Sequence, residues 1–235
     1  MQDKNIIQFH KGYEFLCPFE RVCLERWKWL NPNWNHMFLT NEEADVHVKE
    51  YLEGHWETYE SLGVGQKGDI TRAVLLHKFG GLYIDCDQYP VKPIEKHIRE
   101  GETLALFKYA GRNLVHTNPV YAVRGNSYFL TYLDTAIHLC ETTEPINDTA
   151  DKYKGWVFDT TGAHCWTRVA HSLGLEPSYE GSDWHIKDVE SRKDEVFTLH
   201  YHAESWVPDP RWETPEQRLH DEMRYLNNIK AIFGI

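Results

Sequence analysis

The sequence predicts a single α/β domain, and three observations carry that expectation. Short apolar runs of strand length alternate along the chain with longer stretches whose apolar residues recur at helical spacing. The 235 residues suffice for one sizeable core, and two domains would be a tight fit. Residues 68–87, GDITRAVLLHKFGGLYIDCD, place a helix, a glycine break and a buried strand in immediate succession.

That stretch organises the rest. Ile70, Ala73, Val74 and Leu76 form one helical face, and Gly80 and Gly81 supply the positive φ that ends a helix cheaply. Leu82, Tyr83 and Ile84 make a short strand that delivers Asp85 and Asp87 to its exit. Alternation along a strand puts these two carboxylates on one side and Cys86 on the other. They repel one another unless a cation sits between them. Oxygen ligation with open positions suits Mg²⁺ or Mn²⁺, which bind through one or two carboxylates plus the phosphates of a substrate, so the implied ligand is a diphosphate. Against this stands the plainer reading of Asp-x-Asp as a solvated turn. Asp69 and Arg72, three apart on the preceding helix, are either a surface ion pair or a carboxylate and guanidinium brought toward Asp85 and Asp87 to hold sugar hydroxyls.

The other elements follow in order. Residues 5–9 read as a first strand, followed by a loop through Lys11 and Gly12. Pro18 suits a first helical turn, and Phe19, Val22, Cys23, Trp27 and Leu30 continue with helical spacing until Asn31-Pro32. Residues 34–39 read as a second strand. Thr40 and Glu43 have the spacing of a capping box opening a helix to about Leu52. After the Asp-x-Asp loop, closed by Pro90 and Pro93, residues 94–99 make a short helix and 103–108 and 120–123 two strands, with a turn at 116–119 between them. Residues 127–140 are helical, a helix containing Trp166, Val169 and Leu173 follows Gly162, and Thr214-Pro215 caps a last helix. No linker or repeat interrupts this order.

Composition excludes several function classes. A net charge of −11 argues against nucleic acid as principal partner, since phosphate binding needs a basic face. No apolar run is long enough for a transmembrane segment and no signal segment opens the chain, so a cytoplasmic protein is expected. Five cysteines without a C-x-x-C suit a reducing compartment, most of them as buried apolar residues. The nine tryptophans and thirteen tyrosines have core packing as their default role.

Gly68-Asp69-Ile70 with Arg72, followed in register by Gly80-Gly81-Leu82-Tyr83-Ile84-Asp85-Cys86-Asp87, resembles the core signature of glycosyltransferase family 32, the DXD-containing sugar transferases of the mannosyltransferase and capsular polysaccharide type. The resemblance implies a GT-A-type domain, a Rossmann-like mixed sheet with flanking helices. It also implies a hexose moved, with retention, from a UDP- or GDP-linked sugar to a glycan or other hydroxyl acceptor. Residues 1–125 would form the donor nucleotide half and 126–235 the acceptor half. His10 takes the place of the family's base-facing tryptophan. Asp159 precedes a Thr-Thr-Gly-Ala where the family has Thr-Gly-Pro, and would contact the transferred sugar or the acceptor; the alternative is a carboxylate at a helix N-terminus.

Phe197-Thr198-Leu199-His200-Tyr201-His202-Ala203-Glu204-Ser205-Trp206 resembles the family's C-terminal H-H-W-A-G-S-W. His200 is the expected third metal ligand, with His202 in reserve, and an imidazole in the shell favours Mn²⁺ over Mg²⁺. Ser205 and Trp206 would touch the diphosphate or the leaving group. Two other readings remain. One is a haloacid-dehalogenase-like phosphatase, whose nucleophile also lies in strand-Asp-x-Asp; here Gln88-Tyr89 departs from its usual continuation. The other is an inactive sugar-binding module.

Overall fold

The computed structural model describes residues 3–109, 113–144, 150–177, 179–180, 198–201 and 214–235. Strand β1 (Asn5–His10) leads through a loop to helix α1 (Pro18–Leu30), then β2 (Asn35–Thr40), α2 (Asn41–Tyr51), α3 (Trp56–Ser61) and α4 (Val64–Phe79). Strands β3 (Gly81–Tyr83), β4 (Gln88–Pro90), β5 (Leu104–Lys108) and β6 (Val115–Ala122) come next. Helices α5 (Tyr128–Thr142), α6 (Ala150–Thr160) and α7 (Ala163–Ser172), strands β7 (Tyr179–Glu180) and β8 (Thr198–His200), and helix α8 (Pro215–Phe233) complete the described chain.

Local chemistry fixes the helix starts. Thr40 and Glu43 cap α2 reciprocally, Glu43 N–H donating to Thr40 Oγ1 at 3.2 Å and Thr40 N–H to the Glu43 carboxylate at 2.7 Å. Pro18 occupies the first turn of α1, where Cys17 and Glu20 make the same reciprocal arrangement with a thiol in place of the hydroxyl. Helix α4 stops at Gly80 (φ 63°), and Gly81 follows at φ 111°. A Cβ at Gly81 would lie 2.3 Å from the Asn5 carbonyl oxygen, so the glycine pair both turns the chain and lets β3 approach β1.

The main sheet has the order β2-β1-β3-β6-β5-β7, with β1 parallel to β2 and β3, and β6 antiparallel to β3 and β5. Strand alternation sorts its side chains into two cores. Ile7, Tyr83, Leu106 and Val120 join Val48, Ile70, Phe129 and Trp166 beneath α2, α4, α5 and α7. Ile6, Leu82, Phe107 and Tyr121, each adjacent in sequence to one of those, pack with Trp27, Trp34 and Ile94 on the opposite face. The α/β sandwich expected from the sequence is therefore present, as a mixed sheet flanked by helices. Cys23, Cys86 and Cys165 are buried, in keeping with their expected role.

Four local expectations are corrected. Residues 116–119 lie inside β6 rather than in a turn, because Val115 pairs with Lys108, and Val120 with Leu106 and Tyr83, so the ladder holds both ends of this polar run and takes up its extra length in a register shift. The strand carrying the Asp-x-Asp ends at Tyr83, and Asp85, Cys86 and Asp87 form a turn, closed by Gln88 N–H to Asp85 O at 3.2 Å. That turn feeds β4, where the sequence predicts a loop; it pairs with the distant β8, a partner no local pattern reveals. Helix α4 begins at Val64, four residues before the stretch that suggested it; α6, for which the sequence carries no expectation, precedes Gly162. Among the described residues no helix is long and apolar enough to cross a membrane.

Candidate active site

The site is built where the parallel strands end. The β3–β4 turn presents Asp85 and Asp87, and the β4–β8 ladder places His200 opposite Gln88, one residue beyond Asp87. His200 Nε2 lies 3.0 Å from Asp87 Oδ1 and 3.7 Å from Asp85 Oδ2. One ligand atom from each of the three falls within 4.8 Å of the others. The turn is held from several sides. Asp85 N–H donates to Asn118 Oδ1 (2.9 Å), Gln8 Nε2 to Asp85 O (3.3 Å), Trp27 Nε1 to Gln88 O (2.9 Å), and Tyr201 N–H to Asp87 O (3.2 Å). The side-chain grouping expected of a strand is thus achieved by a turn and a second small sheet.

Behind this triad sits a buried charge chain. Arg72 reaches Asp85 Oδ1 at 3.6 Å and Asp69 Oδ1 at 3.4 Å, and donates from one guanidinium nitrogen to Thr117 O (2.9 Å) and Thr117 Oγ1 (2.6 Å). Its guanidinium lies over the Tyr83 ring at 5.0 Å, and the Tyr83 hydroxyl donates to Asp85 Oδ1 at 2.9 Å. Asp69 accepts from Thr161 Oγ1 at 3.0 Å. Burial pushes the Asp69 carboxyl up to about 7, with Arg72 and the Thr161 hydroxyl opposing the shift. Burial disfavours the Arg72 cation as well, but Asp85 and Asp69 outweigh it and hold the guanidinium firmly protonated. The pair is therefore a buried element of the cleft, and the surface ion pair of the plainer reading is excluded.

A cavity of about 250 Å³ opens over these groups. Asp69, Arg72, Asp85, Asp87 and His200 line it together with Phe9 and His10 from β1, Val64, Gly65 and Gly68 from α4, His116 to Asn118 from β6, and Val157, Phe158 and Gly162 from the α6–α7 junction. His10, expected at the nucleotide end, is thus at the cleft, its Nδ1 3.3 Å from Gly12 O. Asp159 is not brought in. Its side chain is 63% exposed and lies 2.6 Å from His164 Nδ1, because the last turn of α6 directs Val157 and Phe158 inward and Asp159 outward. Ser205 and Trp206, and the reserve ligand His202, lie outside the described residues.

Sequence reasoning missed Asn118, Thr117, Thr161 and Tyr83 as site residues. Asn118 is 1% exposed; its Oδ1 is fixed by Asp85 N–H, and its Nδ2 has no hydrogen-bond partner among the described residues. Polar His116, Thr117 and Asn118 in an otherwise apolar strand were the available signal. Their polarity suggested a turn, whereas here it faces a cleft.

Three carboxylates against one guanidinium make the cleft a poor host for a bare diphosphate and a good one for a dication. Two carboxylates and an imidazole are also a chemically apt donor set for a divalent transition metal. Residues 19–105 match the family described as "Glycosyltransferase sugar-binding region containing DXD motif". Among solved structures, "PaToxG Glycosyltransferase" superposes with a TM-score of 0.50 at 15% identity, over 73% of this chain and 69% of that one. A "glycosyltransferase involved in the glycosylation of the major capsid of PBCV-1" gives a TM-score of 0.47 at 12% identity, over 93% of this chain and 98% of that one. No curated protein matches.

Proposed function

We propose that this chain, whose residues 19–105 match the DXD-containing sugar-binding region of glycosyltransferases, moves a hexose from a nucleotide-diphosphate sugar to a hydroxyl of a glycan or other acceptor. The observation that carries the reading is the meeting of Asp85, Asp87 and His200 beside the buried Asp69–Arg72 pair. Metal ligands stand next to groups suited to sugar hydroxyls, inside one cavity.

Asp85, Asp87 and His200 would hold Mn²⁺ or Mg²⁺, the imidazole favouring Mn²⁺. Such a dication supplies Lewis-acid stabilisation of the charge that develops on the departing nucleoside diphosphate. The protein's own groups orient the donor. Arg72, anchored by Thr117, holds the Asp85 carboxylate toward the cleft and presents its remaining N–H groups to sugar or phosphate oxygens. Asp69, held by Thr161, accepts from a sugar hydroxyl. His10 would face the base, and Ser205 and Trp206 the diphosphate. Transfer with retention is part of the proposal, and no side chain is nominated as nucleophile. Residues 1–125 form the donor half and 126–235 the acceptor half, in a cytoplasmic enzyme whose free thiols, three of them buried, suit a reducing compartment.

Thermal melts with UDP, GDP, UDP-glucose and GDP-mannose, each with and without Mn²⁺, test this reading. A bound ligand raises the apparent melting temperature according to its affinity and concentration. At least one nucleotide should raise it by several degrees in a Mn²⁺-dependent way, and Asp87→Asn should abolish the effect. If none of the four shifts the melt, the transferase reading is wrong.

A further inference from the structure

Strand β2 is an outer strand of the main sheet, and among the described residues it pairs with β1 on one side only. Ladder geometry decides which of its backbone groups face outward. Asn35 N–H donates to Lys4 O at 2.8 Å, and Ile7 O is taken from the other side of β1 by Ile84 N–H at 3.1 Å. In a parallel ladder alternate residues turn both N–H and C=O to the same neighbour, so Asn35, Met37 and Leu39 face β1. His36 and Phe38 turn theirs away from the sheet, and among the described residues nothing pairs with them. Thr40 also faces outward, but its N–H is taken by the Glu43 carboxylate at 2.7 Å.

Proteins shield such an edge with charged side chains, proline or a bulge, and β2 has none of these. Its six residues, Asn-His-Met-Phe-Leu-Thr, run in unbroken register with β1. The titratable side chain among them, His36, is neutral at neutral pH, pushed down to about 4 by burial and by the nearby Lys28. Apolar surface continues beside the edge, where Phe38 meets the Tyr13 ring at 6.3 Å and Tyr13 and Phe15 are 46% and 62% exposed. In a chain of net charge −11, this is a strip on which two copies can meet without opposing carboxylates.

The outward groups also complement themselves. Antiparallel pairing about a two-fold axis at Met37 sets His36 opposite Phe38 of the partner subunit, and Phe38 opposite the partner's His36, each pair exchanging N–H···O=C bonds in both directions. The same axis lays the Asn35 end of one strand beside the Thr40 end of the other. Lys4 and Lys28 stand at the first end, each shared with an exposed glutamate of its own chain, and Glu42 and Glu43 open α2 at the second. Charges of opposite sign are thereby brought together.

We propose that the outer edge of β2 is a homodimer interface, through which two copies of this chain join their sheets. The proposal is independent of the transferase reading. Each cleft, at the end of the strands where Thr40 lies, stays complete within its own subunit.

Sedimentation equilibrium of the full chain at micromolar concentration should give twice the sequence mass. Phe38→Pro removes an outward N–H and leaves the ladder to β1 intact. It deletes half of the bonds between the subunits, so the dimer should weaken about tenfold or more. Met37→Cys tests the register without asking the fold to accept a proline. Directly opposed residues of a non-hydrogen-bonded antiparallel pair stand about 4.5 Å apart, within disulfide reach, so mild oxidation should join Met37→Cys into a covalent dimer. Leu39→Cys, which would face Asn35 of the partner subunit, should stay uncrosslinked, as should the wild type. A monomeric wild type, a folded Phe38→Pro that dimerises undiminished, or a dimer that Met37→Cys fails to capture overturns the proposal. None of these results would alter a nucleotide-induced rise in melting temperature, so the transferase reading stands or falls separately.

Discussion

Asp69 concentrates the electrostatic problem of this cleft in one side chain. It is 6% exposed, bonded to Thr161 and 3.4 Å from Arg72, and burial still holds its carboxyl at about 7 against an ordinary 3.8. The folded chain therefore keeps a proton there that the unfolded chain releases. The stability this contributes is complete below pH 3.8 and is lost as the pH rises through about 7. Asp69→Asn, which keeps the shape and removes the titration, should gain on the wild type across that window by roughly 4 kcal/mol. Metal-free urea midpoints at acid and neutral pH measure it, and parallel profiles for the two proteins would show that Asp69 does not titrate as described. The residue scale is also where a sequence says least about partners. Asp69 and Arg72 were visible as an i, i+3 pair, yet whether they lay on a surface or under a cleft depended on Thr117 and Thr161, which lie 45 and 92 positions away from their respective partners.

At the scale of elements, the junction of α4 and β3 does most to place the site. The helix must end abruptly and the strand must start within contact of β1. Gly80 and Gly81 satisfy both, with positive φ at each and no room for a Cβ beside Arg124 N or Asn5 O. Gly81→Ala should destabilise the protein by about 3 kcal/mol through combined backbone strain and clash, lowering the melting temperature by roughly 6–10 °C. A melt unchanged within a degree would mean that β3 can shift without cost. The caps of α1, α2 and α8 were legible for the same reason these glycines were: each is decided by residues three or four apart. Strand β4 was illegible because its partner β8 lies more than a hundred residues on, and β6 was misread at 116–119 because its polar residues serve a cleft.

The whole molecule is a sheet with a core on each face, and the larger core ties the Asp-x-Asp half to the later helices. Trp166 of α7, fully buried, packs against Tyr128, Phe129 and Tyr132 of α5 at ring distances of 5.7, 5.9 and 4.7 Å. The Tyr132 hydroxyl then donates to Thr161 O at 2.7 Å, so the same packing positions the residue that holds Asp69. Trp166→Ala should cost about 3–5 kcal/mol, read as a lower urea midpoint. Because the damage reaches Thr161, it should also weaken whatever nucleotide the wild type binds. A loss of stability with full retention of nucleotide affinity would uncouple the core from the cleft.

By itself, the sequence determined the α/β class, the order of most elements, the helix caps, the glycine break and the identity of Asp85, Asp87 and His200 as companions. These follow from periodicity, φ preference and a spaced motif, all of which are short-range or carried by family resemblance. Only the tertiary structure decided that the Asp-x-Asp rides a turn rather than a strand, that Asp159 faces outward, and that Asn118 faces the cleft. Those outcomes depend on which distant strand or helix lies alongside, and burial, hydrogen-bond satisfaction and the direction of a side chain exist only once that neighbour is in place.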